Sequence, residues 1–259
     1  MSTVRASDGL QLHYDIHGTG PTDLILLHGM GESSTSWEVV LTHLDLAAFR
    51  VVTLDLRGHG HSRGGEMRFT FPQLTADILA VADAAGVRRA VVVAHSGSSK
   101  NAVCLALEAP ERVRGLMLIC PPGMGEVPLP REIMRSVFDH IGRERDIPLA
   151  FDAWFTPKIG RYREIVGRDY AQTSRAALDA SAELWMHTSI VENAARVSQP
   201  VLVIAGAKEP VYHPEFQRQT TLVALPHARL ESLACGHFAT YEEPAALAEA
   251  IARFSRELP

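Results

Sequence analysis

The sequence predicts an α/β fold in which a mostly parallel sheet carries helices on both faces and a helical segment is inserted late in the chain. Three observations predict it. Short runs of consecutive apolar residues, such as Ala90–Ala94 (AVVVA) and Val201–Ala205 (VLVIA), read as strands buried on both faces. Segments of helical periodicity separate those runs, and that alternation calls for parallel strands joined by crossover helices. From about residue 121 to 198 no convincing strand occurs, so the alternation is interrupted there.

In chain order, Leu10–His17 alternates weakly and reads as a first strand. Asp23–Leu27 (DLILL) and Val51–Leu54 (VVTL) are continuous apolar runs, as are Ala90–Ala94, Gly115–Ile119 and Val201–Ala205. Arg229–Leu233 is the last strand-like run. Helical patterns cover about Ser34–Leu44, Phe71–Ala85 and Ser98–Ala109. At the C-terminal end, Leu247, Ile251, Phe254 and Leu258 share one helical face. Pro244 starts that helix, with Glu242 and Glu243 expected in its favourable first turn. The interrupted stretch holds helical pieces, Arg131–Ile141 and Ala176–Ala195, and many aromatics, including Trp154 and Trp185. It reads as a lid, because open parallel sheets bind ligands at the carboxyl ends of their strands, where this insertion emerges. The expected organisation is a core of residues 1–120 and 199–259 with a helical cap of residues 121–198.

Composition narrows the function. The 259 residues suit one α/β domain with a sizeable insertion. Apolar residues make up 46% and charged residues 21%, and the net charge of −5 points away from nucleic acid and anionic membranes. Cys104, Cys120 and Cys235 are odd in number and widely spaced, so a disulfide framework is not expected. The segment Met1–Gly9 lacks the apolar core of a signal peptide, and no apolar run approaches the ~20 residues of a membrane span. These features together predict a cytoplasmic protein.

The chemistry is carried by Ala94-His95-Ser96-Gly97-Ser98, which follows the strongest strand and precedes a helix. A serine on such a tight strand-to-helix turn is exposed as a nucleophile if the residues two positions before and after it are small. Ala94 and Ser98 meet that condition with slight crowding. A hydroxyl needs a general base, and His237 lies in the loop between the last strand-like run and the final helix. An acid must orient the base. Glu209, in the loop after Val201–Ala205, is the first candidate and Glu126 the second. The order Ser…Glu…His is the one this arrangement requires. The backbone N–H groups of Gly97 and Met30 are the candidate oxyanion donors. Trp154, Trp185, Met186 and Met124 are candidate substrate contacts, and with Met30 they suggest a partly apolar substrate. No HExxH, CxxC or GxGxxG occurs, so no metal and no organic cofactor is expected.

These motifs resemble those of the α/β-hydrolase superfamily: LLHGMG (Leu26–Gly31), DLRGHGHS (Asp55–Ser62), AHSGS (Ala94–Ser98), GAKEPV (Gly206–Val211) and CGHF (Cys235–Phe238). They occur in the family's order and cover nearly the whole chain. The resemblance implies the α/β-hydrolase fold, an eight-stranded mostly parallel sheet with a cap after the sixth strand. It also implies the catalytic roles given above and a structural role for Asp55–Ser62, so His59 and His61 are not assigned to catalysis. Two departures stand out. The acid is Glu209 where aspartate is commoner. The elbow lacks both glycines and continues into Ser99-Lys100-Asn101, where small apolar residues are usual. Some members, fungal-type zearalenone lactonases among them, take the acid from the end of the sixth strand. The matching position here is Cys120, which cannot do that job.

The expected activity is that of a serine hydrolase cleaving a carboxylic ester or lactone of a small molecule, as a monomer or homodimer. A serine at the elbow argues against epoxide hydrolases and haloalkane dehalogenases, which need a carboxylate there. Carbon–carbon bond hydrolases, thioesterases, cofactor-free haloperoxidases and lyases stay open. A ligand-binding receptor with a retained triad is the alternative of another class, and turnover separates it from an enzyme.

Overall fold

The structure is a computed structural model that describes residues 2–63, 68–127, 131–132, 156–160 and 162–259. Eight strands form one sheet: β1 Ser2–Arg5, β2 Gln11–His17, β3 Thr22–Leu27, β4 Phe49–Leu54, β5 Ala90–His95, β6 Val113–Ile119, β7 Val201–Gly206 and β8 Arg229–Leu233. Their spatial order is β1-β2-β4-β3-β5-β6-β7-β8. β1 pairs antiparallel with β2 and β2 antiparallel with β4, and every other pairing is parallel. The eight-stranded, mostly parallel sheet with flanking helices is the architecture that the motifs imply.

Each apolar run divides its side chains between two cores, because successive residues of a strand point to opposite faces. On one face Ile25, Leu27, Val92, Ala94, Leu116, Leu118 and Val203 pack with helices Phe71–Ala84 and Ser98–Glu108. On the other, Leu24, Leu26, Val91, Val93, Met117, Leu202 and Ile204 pack with the C-terminal helix Pro244–Glu257. Val91, Val92 and Val93 are fully buried, each contributing about 1.5–3 kcal/mol relative to exposure.

The differences from the sequence reading have local causes. β1 was not foreseen because its exposed edge pattern, Ser-Thr-Val-Arg, contains no apolar run. The expected helix at Ser34–Leu44 is a 3₁₀ turn, Ser34–Trp37, running into a single helical turn, Glu38–Leu41. Ala176–Ala195 is not one helix but two, Arg175–His187 and Val191–Ala194, separated by extended backbone at Thr188. Glu242 does not sit in the first turn of the final helix. It ends the short helix Ala239–Glu242 and turns inward, accepting hydrogen bonds from the backbone N–H of Thr156 and Gly236, both at 3.0 Å.

Among the described residues, the stretch between β6 and β7 carries helices only: Pro157–Ile159, Tyr162–Gln172, Arg175–His187 and Val191–Ala194. The proposed helix at Arg131–Ile141 lies almost wholly outside the described residues, as does Trp154. No described helix is long and apolar enough to cross a membrane.

Candidate active site

β5 ends at His95, and the chain turns sharply at Ser96 before the helix Ser98–Glu108 begins. Ser96 has φ 54, a left-handed conformation that costs a non-glycine residue about 1–3 kcal/mol. Its backbone N–H donates to the Ile119 carbonyl at 2.8 Å, which pins the turn to β6. The missing elbow glycines find their explanation here. Ala94 is fully buried in the core. The buried Ser98 hydroxyl is within bonding distance of the Leu27 carbonyl at 3.1 Å and the His95 carbonyl at 2.8 Å, so a polar side chain fits a position that only needs to be small. Gly97 is a glycine for a stricter reason, because a Cβ there would overlap the Trp185 indole.

Three residues far apart in sequence meet at this turn. The Ser96 hydroxyl and His237 Nε2 are 3.0 Å apart, and His237 Nδ1 and Glu209 Oε1 are 2.9 Å apart. With the proton on Nδ1, the ring donates to the carboxylate and leaves Nε2 free to accept from the hydroxyl. Glu209 is 3% exposed, and Oε1 also accepts from the Tyr212 backbone N–H at 3.3 Å. Ser96 is partly exposed and His237 nearly buried, so the chain of bonds runs from a buried carboxylate toward solvent. Glu126, the second acid candidate, is exposed and takes no part. Cys120, at the end of β6, places its thiol within 4.8 Å of the Glu209 and His237 ligand atoms. Burial, reinforced by Glu209, pushes that thiol far above its ordinary value, so it stays neutral.

Behind His237 lies a second buried pair that the sequence reading did not single out. His95 Nδ1 is 2.8 Å from Glu32 Oε1, an ion pair by distance rather than a well-aimed hydrogen bond. His95 Nε2 donates to the His237 carbonyl at 2.9 Å, and the two imidazole rings are 4.8 Å apart. Burial opposes charge on both partners, but the charge of each outweighs it for the other. The Glu32 carboxyl is held below its ordinary value and the His95 imidazolium above. The sequence offered one clue, the adjacency of His95 to Ser96.

The loop after β3 faces the elbow. His28 Nε2 accepts from the Leu56 N–H at 2.9 Å and Nδ1 donates to the Gly29 carbonyl at 2.8 Å, which ties the ring into the turn after β4. Among the described residues, neither the Met30 nor the Gly97 N–H meets a hydrogen-bond acceptor. Gly31 (φ 73) is overlaid by the Tyr170 ring so closely that a Cβ would collide with it. His59 is buried with Nδ1 donating to the Arg57 carbonyl, and burial pushes it down to about 3, so it is neutral. Trp185 is 1% exposed, stacks on His59 and donates Nε1–H to Asn101 Oδ1 at 3.0 Å. Met186 packs with Tyr212, and Met124 is fully buried in the same apolar cluster as Trp185.

Residues 24–250 match the sequence family described as the Alpha/beta hydrolase family. The chain belongs to the alpha/beta hydrolase family. Within that family it is 28% identical to 3-oxoadipate enol-lactonase 2 of Acinetobacter baylyi, over 96% of this chain and 94% of that protein. It is 27% identical to a 2-hydroxy-6-oxononadienedioate/2-hydroxy-6-oxononatrienedioate hydrolase of Burkholderia vietnamiensis, over 93% of this chain and 90% of that protein. It also matches dihydrolipoyllysine-residue acetyltransferase components of acetoin cleaving systems, of whose length it spans 32% in Cupriavidus necator and 60% in Pseudomonas putida. Among solved structures, a hydrolase from Pseudomonas aeruginosa PA01 superposes with a TM-score of 0.84 at 27% identity, covering 98% of this chain and 97% of that one. The enol-lactonase and the Burkholderia vietnamiensis hydrolase thus match the chain over nearly its whole length, whereas the acetyltransferase components match it over part of their own.

Proposed function

We propose that this protein is a serine hydrolase that cleaves a carboxylic ester or lactone of a partly apolar small molecule through an acyl-enzyme. The unbroken chain of contacts from Ser96 through His237 to Glu209 carries the reading. Ser96 Oγ attacks the carbonyl carbon as His237 Nε2 takes its proton. Glu209 holds the ring in the productive tautomer and stabilises the imidazolium, and removing such an acid costs about 10⁴-fold in kcat in a comparable triad. The Met30 and Gly97 N–H groups, which have no acceptor among the described residues, receive the oxyanion. His237 then protonates the leaving alkoxide. In a lactone that alkoxide stays tethered to the acyl group. Water, activated by His237, releases the acid and restores Ser96. The helices between β6 and β7 act as the cap over this site, with Trp185 set beside Ser96 by Asn101.

The enol-lactonase relative supports the lactone branch of the reading. A second reading, carbon–carbon bond hydrolysis, draws on the Burkholderia vietnamiensis relative, which is nearly as similar over nearly the whole chain. Such an enzyme would turn over vinylogous diketones and be slow on simple esters. The Ser96→Ala variant tests the common core: it should lose p-nitrophenyl ester turnover and labelling by a fluorophosphonate. Wild-type turnover in that variant would overturn the assignment.

A further inference from the structure

Away from the elbow, three side chains converge where β2, the end of β4 and the turn after β4 meet. His13 Nδ1 lies 3.1 Å from Asp55 Oδ2, and His61 Nδ1 lies 3.4 Å from the same oxygen. The ligand atoms of all three residues lie within 4.8 Å of one another. We propose that His13, Asp55 and His61 form a binding site for one zinc-class divalent transition ion.

The geometry supports it. Four ligands held about 2.0–2.1 Å from a tetrahedral zinc ion are separated by about 3.3–3.4 Å. The two His–Asp separations, 3.1 and 3.4 Å, lie close to that edge, and the ligand atoms of the two histidines lie within 4.8 Å of each other, so side-chain rotation, led by the exposed His61, brings all three onto one ion. Two imidazoles and one carboxylate select zinc, cobalt or nickel over calcium and magnesium, which demand oxygen ligands. His13 and Asp55 are buried whereas His61 is exposed, so the open side faces solvent. Water completes the coordination there.

The surroundings orient the ligands as metal sites require. A ligating histidine hands its second ring N–H to a carboxylate or carbonyl, which fixes its tautomer. His13 Nε2 is buried without a hydrogen-bond partner and faces Asp15 Oδ2 at 3.6 Å. Asp15 is partly exposed, and a small torsional adjustment brings its carboxylate into bonding range once Nε2 carries the proton. Asp55 is fixed through its other oxygen, which accepts the Ser34 N–H at 2.7 Å, while Oδ2 accepts the His61 N–H at 2.8 Å. The His13 N–H is in turn anchored on Ser62 Oγ at 2.8 Å. The ion would join β2 to the turn after β4, and through Asp55 and Ser34 to the loop that follows β3.

Chelator-treated protein titrated with zinc and with cobalt tests the site. One equivalent of zinc should bind and raise the unfolding midpoint, and one equivalent of cobalt should give tetrahedral d–d absorption. His61→Ala removes an exposed ligand and should abolish both signals. Asp15→Asn should weaken binding by roughly 10–100-fold. The exposed His43 serves as control, and His43→Ala should leave binding unchanged. Failure of the wild type to bind one equivalent of either ion would overturn the proposal. So would undiminished binding by His61→Ala, which would place the ion elsewhere, for example at Cys120, Glu209 and His237. Neither outcome bears on the role of Ser96.

Discussion

Replacing Glu32 by glutamine separates a charged support beneath the site from a merely polar one. The His95 Nε2 proton is committed to the His237 carbonyl, and Nδ1 faces the Glu32 carboxylate at 2.8 Å. A lone pair at Nδ1 would be repelled by that carboxylate, so both nitrogens carry protons and the ring is cationic. Glutamine keeps the shape and removes the compensating charge. Breaking a buried pair by removing one partner costs about 3–5 kcal/mol. In a chain of this size 1 kcal/mol shifts the midpoint by about 2–4 °C, which gives a fall of about 6–20 °C. The pH dependence carries a sign. Glu32 is depressed in the fold, so its contribution is present above the unfolded value of 4.5 and is lost as pH falls through the folded value. His95 is raised in the fold, so its contribution is present below the unfolded value of 6.5 and is lost as pH rises through the folded value. The gap between wild type and Glu32→Gln should therefore be widest between 4.5 and 6.5 and should narrow on either side. Calorimetric melting of both proteins across that range measures it. A difference below about 2 °C at its widest would refute the ion pair.

Three further outcomes follow from the same geometry. Glu209→Gln should leave the fold intact and lower kcat for a p-nitrophenyl ester by about 10⁴-fold, and a loss under about tenfold would remove Glu209 from the acid role. Burial pushes the Lys100 ammonium down to about 8 from 10.5. Over that interval the unfolded chain holds a proton that the folded protein has released, so wild type should gain stability relative to Lys100→Met as pH rises, read by urea unfolding at the two ends. A constant difference would refute the shift. Asn101→Ala leaves the buried Trp185 N–H without its acceptor and should cost about 1–3 kcal/mol. It should also alter the preference between short and long acyl chains in a p-nitrophenyl ester series.

The sheet was legible because each buried strand is written as consecutive apolar residues that serve two cores at once, as Val91, Val92 and Val93 do. β1 was illegible because an edge strand has no such obligation. The Ser96, Glu209 and His237 contacts could be anticipated because each residue sits where a strand ends and topology collects strand ends at one rim. What escaped was whatever depends on a side chain's direction. Glu242 looked like a helix-start charge, yet it faces inward and holds the loop that carries His237 through the Gly236 N–H. Glu32 carries no mark in the sequence, yet it is 2% exposed and lies 2.8 Å from His95. A one-dimensional pattern records which residues alternate but not which loop folds back over them.

The polar run after Ser96, Ser99-Lys100-Asn101, acquires a reason in the same terms. All three residues are fully buried on the helix that starts beneath Ser96. Ser99 Oγ returns to the Ala94 carbonyl at 3.3 Å. Lys100 Nζ donates to the Gly125 carbonyl at 2.7 Å and to the Thr188 carbonyl at 2.8 Å, near the two ends of the described segment that leaves β6 and returns toward β7. Asn101 holds Trp185 over Gly97. Small apolar residues at these positions could pack against the sheet but could not satisfy two carbonyls and an indole N–H. One helix thus presents Ser96 at its start and grips the overlying segment through the residues that follow. The position of that segment and the geometry around Ser96 are therefore set by the same rigid element, and a substitution that loosens the grip should reach the chemistry without touching Ser96, Glu209 or His237.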